Sequence, residues 1–306
     1  MAPIDMTLVK AITYEEELKK NPELKESDIQ MLREWCAKQR HLPKIPDVTL
    51  ALFLHSNYFR MEPTKTTIEA YYTMRSQSPE LFSNRDPVGS KELRRSYTTV
   101  TFFGLEKLTD EGYRIVYTKL LDFDPSHYHY DSCMKLTNMI SDLWLHKYGS
   151  CPGHVVILNA RGISLGHLSR ISLMGLKTFV NYLQEALPIR LKRIHFMNTT
   201  PVVKILVRMI KPFLKKELYE MIHLHSTIDD LENFIPVDAL PKDDGGKGEN
   251  VADMTAAYVK WLEDNRAWFQ TEEATMRVNE SLRLGTCKTS SNVLGVEGNF
   301  KQQDID

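Results

Sequence analysis

The chain has 306 residues, 42% of them hydrophobic and 26% charged, with a net charge of −1 at neutral pH. That is enough for one large domain or two small ones with an ample core, in an ordinary globular composition. No apolar run approaches the ~20 residues of a membrane span, and the acidic start, MAPIDMTLVKAITYEEELKK, lacks the apolar stretch of a secretory signal.

Residues 1–24 read as an N-terminal extension with little pattern beyond a charged cluster. Three short helices follow in 25–80. The first begins after Ser27 and carries Ile29, Leu32, Trp35 and Cys36. A second starts near Val48, with Leu50, Leu52, Phe53 and Leu54. The third opens at Pro63, with Ile68, Tyr71, Tyr72 and Met74. Together they predict a small helical module, left through Pro79, Asn84, Asp86, Pro87 and Gly89. The pattern then changes. SYTTVTFFG and GYRIVYTKLL are β-branched and aromatic and predict strands. A helix is expected from Asp131 to Tyr148. HVVILNA (154–160) reads as a buried parallel strand, 169–187 as a helix, 191–198 as a strand and 221–226 as one more. Strands alternating with helices over 90–250 predict an α/β domain on a mostly parallel sheet. Residues 251–285 read as a charged amphipathic helix whose aromatics, from Tyr258 to Phe269, look exposed enough to meet a protein partner. The polar end, 286–306, reads as disordered.

Charge is unevenly placed. Residues 1–216 hold 31 Lys/Arg against 22 Asp/Glu, while 217–306 hold 8 against 18. Ala186 to Lys216 carries eight basic residues and no acidic one. Thr200 and Pro201 suit the start of a helix there, on which Lys204, Arg208, Lys211 and Lys215 recur every three or four residues as one stripe. With Arg190, Lys192 and Lys216 nearby, this basic and otherwise apolar segment points to an anionic membrane rather than nucleic acid. The plainer alternative is a core helix with one solvated face.

Signals for catalysis are weak. There is no GxSxG, no GxGxxG and no phosphate-binding Walker loop. Cys151 and His154 are three apart, in what reads as a loop entering a strand. His127/His129 and His223/His225 are spaced like zinc ligands without a third partner at a diagnostic distance. The four scattered cysteines suggest reduced thiols and a cytoplasmic protein. No catalytic residue, metal or cofactor is expected; a container fits better than a catalyst.

Four motifs stand in one frame: Leu158–Asn159–Ala160–Arg161–Gly162; Pro188, Arg190, Lys192, Ile194, His195 and Asn198; Lys211–Pro212–Phe213–Leu214; and Leu240, Pro241, Asp243, Gly245 and Gly246. In this the chain resembles the CRAL-TRIO family of lipid-transfer proteins, in the branch of the α-tocopherol transfer and retinaldehyde-binding proteins with its insect paralogues. The resemblance covers about residues 25 to 250. It implies a helical module packed on an α/β domain, a five-stranded sheet flooring an apolar pocket, and a mobile helical lid over 201–214. Departures accompany it. Phe53–Leu54–His55–Ser56–Asn57 replaces an arginine-bearing run, and Glu217 and Met221 replace two basic phosphoinositide contacts, so generic attraction to anionic lipid is expected in place of headgroup exchange. Placed by that frame, the pocket wall is expected from Cys133, Leu136 and Ile140; Leu158; Phe179, Tyr182 and Leu183; and Leu191 and Ile194. Leu206, Met209, Ile210 and Phe213 would close it. Tyr117, Tyr182 and Asn159 would orient a polar ligand end. The implied function is intracellular transfer of a retinoid, carotenoid, tocopherol or related isoprenoid. The alternatives are a phospholipid or phosphoinositide carrier, or a scaffold or GTPase-regulating module with a vestigial pocket.

Overall fold

A computed structural model describes residues 10–284, so the expectation for the tail at 286–306, and Cys287 with it, lies outside the described residues. The extension contains a helix the periodicity did not suggest, α1 (Tyr14–Lys20). Its signal is local: the Thr13 hydroxyl accepts from the Glu16 amide while the Glu16 carboxylate accepts from the Thr13 amide, a reciprocal cap. Four helices build the N-terminal module: α2 (Glu26–Lys38), α3 (Asp47–Ser56), α4 (Met61–Gln77) and the single turn α5 (Pro79–Phe82). Ile29, Leu32, Leu50, Phe53, Leu54, Ile68 and Tyr72 form its core.

SYTTVTFFG is not one strand. Residues 91–99 are helix α6 (Lys91–Thr99), capped by the Ser90 hydroxyl, and β1 (Val100–Leu108) begins only afterwards. Burial of Leu93, Ser96 and Tyr97 on one helical face outweighs the β-preference of the threonines. The sheet continues with β2 (Arg114–Leu120), β3 (His154–Asn159), β4 (Leu191–Met197) and β5 (Ile222–Leu224), in spatial order β1-β2-β3-β4-β5. Only β1 and β2 are antiparallel; the other pairs are parallel, joined by helical crossovers. Those crossovers hold α7 (Tyr130–Tyr148), the turn α8 (Leu165–Leu168), α9 (Leu173–Glu185), α10 (Pro201–Ile210) and α11 (Lys216–Glu220). Thr200 occupies the N-cap of α10 without a side-chain capping bond. The helix ends at Ile210, four residues short of expectation, because Pro212 lacks the amide that would extend the ladder.

After the short α12 (Asp229–Glu232), the chain passes through Gly245, at φ +90°, and Gly246, where a Cβ would sit 1.9 Å from the Leu240 carbonyl oxygen. The C-terminal segment is two helices, α13 (Val251–Asp264) and α14 (Arg266–Thr275). Their aromatics are not a free surface: Tyr258, Trp261 and Phe269 are fully buried and Trp268 packs beside them. They cover the back of the sheet, against Phe103, Ile115, Tyr117, Val155 and Ile157. Each large side chain so buried stabilises the fold by ~1.5–3 kcal/mol. The reading of a protein-binding face there is corrected accordingly.

Candidate binding cavity

A strand in a covered sheet carries apolar residues on both faces, but here the faces differ. Along β3, His154, Val156 and Leu158 are half-buried while Val155, Ile157 and Asn159 are buried. The buried set meets α13 and the rest of the back core. The half-buried set floors a cavity of about 880 Å³, within the ~300–1,000 Å³ usual for small-ligand sites. Phe102, Val116, Thr118, Leu120, Ile194 and Phe196 complete the floor. One wall is the face of α7 bearing Tyr130, Met134, Thr137, Asn138, Ser141, Trp144 and Tyr148; another is Leu176, Phe179, Val180, Tyr182 and Leu183 of α9. Leu206 and Ile210 of α10, then Leu214, Leu218 and Ile222, close one end; Ile12, Glu16, Lys19 and Lys20 of the extension border the other. Gly104 lets the wall approach the floor, since a Cβ there would stand 2.3 Å from the Trp144 ring, whose indole nitrogen donates to the Tyr258 hydroxyl at 3.0 Å.

Of the expected wall, Leu158, Phe179, Tyr182, Leu183, Ile194, Leu206 and Ile210 line this cavity. The rest do not. Cys133 is buried elsewhere, and Leu136 and Ile140 lie in the back core because α7 straddles the edge of the sheet and turns its most apolar stripe that way. Leu191 borders a separate crevice of about 210 Å³, together with Lys215, Glu217 and Met221. Met209 does not reach the cavity, and Phe213 belongs to the turn after α10, packed beside Leu176 and Val180. Tyr117 faces the back: strand alternation gives the cavity Val116 and Thr118 instead. Its hydroxyl donates to Asp244 at 2.6 Å. Asn159 is on the same face, its amide donating to the Tyr117 hydroxyl (2.8 Å) and to Asp244 (2.9 Å) and its carbonyl accepting from Asn198 (2.8 Å). Lys119 pairs with Asp244 at 2.9 Å. Three of the scattered motifs therefore meet in one structural network behind the sheet. Tyr182 does border the cavity, but its hydroxyl accepts from Arg75 at 3.1 Å.

The basic residues divide likewise. Lys204 and Arg208 are exposed on α10 and have no ion-pair partner among the described residues. Lys211 lies 4.8 Å from the Tyr219 ring, Lys215 pairs with Glu185 at 2.5 Å and Lys216 with Glu220 at 3.8 Å. The break at Pro212 thus splits the expected four-residue stripe. Arg190 donates to the His55 carbonyl (2.8 Å) and covers the Tyr58 ring at 4.2 Å; Lys192 donates to the Tyr58 hydroxyl at 3.0 Å. Those two join the helical module to the sheet.

Cys151 Sγ is 3.3 Å from a His154 ring nitrogen, yet the pair is not primed for attack. Burial pushes the thiol up, and burial followed by the charge of Arg114 pushes the imidazole down to about 4. Among histidines, His195 Nδ1 and His225 Nε2 are 2.8 Å apart and His223 stacks on His195; His127 bonds Asp122 and His129 bonds Arg95. Among the described residues no three His, Cys, Asp or Glu side chains are grouped to hold a metal ion, and no helix is long and apolar enough to cross a membrane.

Two family models match the chain: "Pinta-like, UBA domain" over residues 21–92 and "CRAL/TRIO domain" over 99–246. The human alpha-tocopherol transfer protein-like protein is 28% identical over 236 residues, which are 76% of this chain and 68% of that one. Human clavesin-2 is 25% identical over 241 residues, 75% of this chain and 71% of the relative. A crystal structure of Sfh5 superposes with a TM-score of 0.46 at 14% identity, over 85% of this chain and 98% of its own.

Proposed function

We propose, for a chain that belongs to the CRAL/TRIO family through residues 99–246, that it takes a lipophilic small molecule into the cavity beneath α10 and passes it between membranes. The cargo class we favour is a retinoid, carotenoid, tocopherol or related isoprenoid. The observation that carries the reading is an apolar cavity of about 880 Å³ closed at one end by a short helix with an exposed basic face. Leu206 and Ile210 face inward on that helix while Lys204, Ile205 and Arg208 face out. One element can therefore touch both cargo and bilayer, and its displacement would open the cavity. Leu165 at the start of α8, Leu173 and Met174 at the start of α9 and Phe123 after β2 are exposed and add apolar surface of the kind that inserts among lipid headgroups. The protein is read as cytoplasmic with transient membrane contact, and as a carrier rather than an enzyme.

A second reading, an anionic-lipid carrier, is favoured by the basic residues at the α1 end of the cavity. The scaffold reading loses its ground, because the aromatics it relied on are core. The test is to incubate the full chain with vesicles containing retinol, α-tocopherol and phosphatidylinositol, then recover it for native mass spectrometry. One lipid mass should be retained by the wild type and lost from Leu206→Asp and Phe179→Asp. A wild-type protein that retains none of the three would refute the carrier reading for these cargoes.

A further inference from the structure

The charges of the cavity are gathered at one end. Among its described lining residues, Glu16, Lys19, Lys20, Arg114 and Lys147 are the only Asp, Glu, Lys or Arg side chains, and Lys204 and Arg208 of α10 point elsewhere. Four of the five are basic. The single carboxylate is engaged, since Glu16 accepts from the Thr13 amide at 2.8 Å. The adjacent Glu17 is taken by Lys20 at 3.1 Å, by the Ser150 hydroxyl at 2.5 Å and by Asn21 at 2.9 Å.

Arg114 stands apart from the other bases. It is the first residue of β2, where alternation with Val116 and Thr118 puts it on the cavity face. Its guanidinium lies 4.6 Å from the Trp144 ring and 5.4 Å from that of Tyr148, an arrangement that fixes its plane. Among the described residues no carboxylate lies within ion-pair distance of it and no group accepts a hydrogen bond from its side chain. The nearby thiol and imidazole supply no counter-charge: burial pushes Cys151 up, and burial with Arg114 itself pushes His154 down to about 4. A half-buried guanidinium whose donors meet no protein acceptor, at the edge of an apolar chamber, is placed to receive an anion. Its planar fork matches a carboxylate or a phosphate.

We propose that the cargo is an amphiphile with an anionic end, a carboxylate or phosphate, held by Arg114 at the α1 end of the cavity while its apolar tail runs towards α10. The inference rests on the carrier reading and, within it, takes the anionic-lipid form; of the isoprenoids favoured above it keeps only those that carry a carboxylate or phosphate.

Oleate and oleyl alcohol share a chain and differ at its end, so they separate the two ideas. Binding of each to the full chain is followed at pH 7.5 by tryptophan fluorescence and native mass spectrometry. Oleate should bind about tenfold tighter or more, the worth of a charge-assisted pair of hydrogen bonds. Arg114→Gln should remove that preference, bringing oleate to the affinity of oleyl alcohol; Arg114→Lys should keep part of it. Equal wild-type affinities, or a preference that survives Arg114→Gln, would overturn the assignment while leaving the carrier reading intact. Failure of both lipids to bind the wild type would overturn the two together. Release of oleate by millimolar inorganic phosphate would make this a small-anion site and overturn the lipid assignment. The wild-type comparison needs no variant, so it decides the matter even if Arg114→Gln does not fold.

Discussion

His55, His154 and His195 are held neutral inside the fold. Burial is the first cause for each, reinforced by Arg190 at His55, by Arg114 at His154 and by His225 and His223 at His195; their values fall to about 3, about 4 and about 3. An unfolded chain would protonate all three near the ordinary 6.5, so the unfolded state gains protons first as pH drops. Stability is therefore complete above about 6.5 and lost progressively below it, by at most ~1.4 kcal/mol per pH unit for each histidine. The urea midpoint should be clearly lower at pH 5.0 than at pH 7.5; equal midpoints would mean that the native protein accepts these protons. At this scale the sequence was a poor guide. His195, Asn198, Asn159 and His225 were each visible in the sequence, but the pairing of His195 with His225 and of Asn198 with Asn159 joins distant segments, and proximity of that kind has no signature along the chain. Arg114 was missed for the same reason, since only the placement of Trp144 and Tyr148 makes it distinctive.

α10 is the element on which the proposed transfer turns. Of the basic residues expected to meet a membrane, Lys204 and Arg208 are exposed on the helix itself and unpaired among the described residues. Near an anionic surface each contributes ~1 kcal/mol, and salt weakens the attraction. Lys204→Glu with Arg208→Glu should reduce binding to phosphatidylserine vesicles, and the rate of cargo transfer, by roughly tenfold or more. Cargo already inside should stay, because both side chains point away from the cavity. Co-sedimentation with phosphatidylserine and phosphatidylcholine vesicles over a range of salt reads this directly; a double variant that sediments like the wild type would leave α10 as a solvated helix. Element identity was largely legible for β2, β3, β4, α7 and α9, whose periodicity is strong. It failed where a cap or a proline decided: Ser90 starts α6, which runs into the apparent strand, and Pro212 ends α10 early.

Across the whole molecule one buried cluster ties the parts together. Arg75 of α4 donates to Asp142 of α7 at 2.7 and 3.2 Å, to Glu272 of α14 at 3.1 Å and to Tyr182 of α9. Arg85 meets the same two carboxylates, and both arginines are essentially without solvent exposure. Removing one member of such a cluster leaves charge buried and unmatched, at a cost of ~3–5 kcal/mol. Asp142→Ala should lose about that much by urea denaturation and should loosen the helical module and the cavity domain in one transition. A loss below ~1 kcal/mol, or two separate transitions, would show the domains to be only loosely joined.

The sequence by itself determined most of the strands and the long helices, the α/β class and the basic segment around α10, because each is written in local periodicity and spacing, and its motifs carried the CRAL-TRIO resemblance. It did not determine which apolar residues enclose empty space. Hydrophobicity states that a side chain leaves water, not what it meets. Val155 and Ile157 are core because α13 and α14, about a hundred residues further on, cover the back of the sheet; Val156 and Leu158, one position away in each case, face a chamber because no described residue fills the front. That choice between packed face and open face belongs to the tertiary structure, since it depends on where distant segments come to rest.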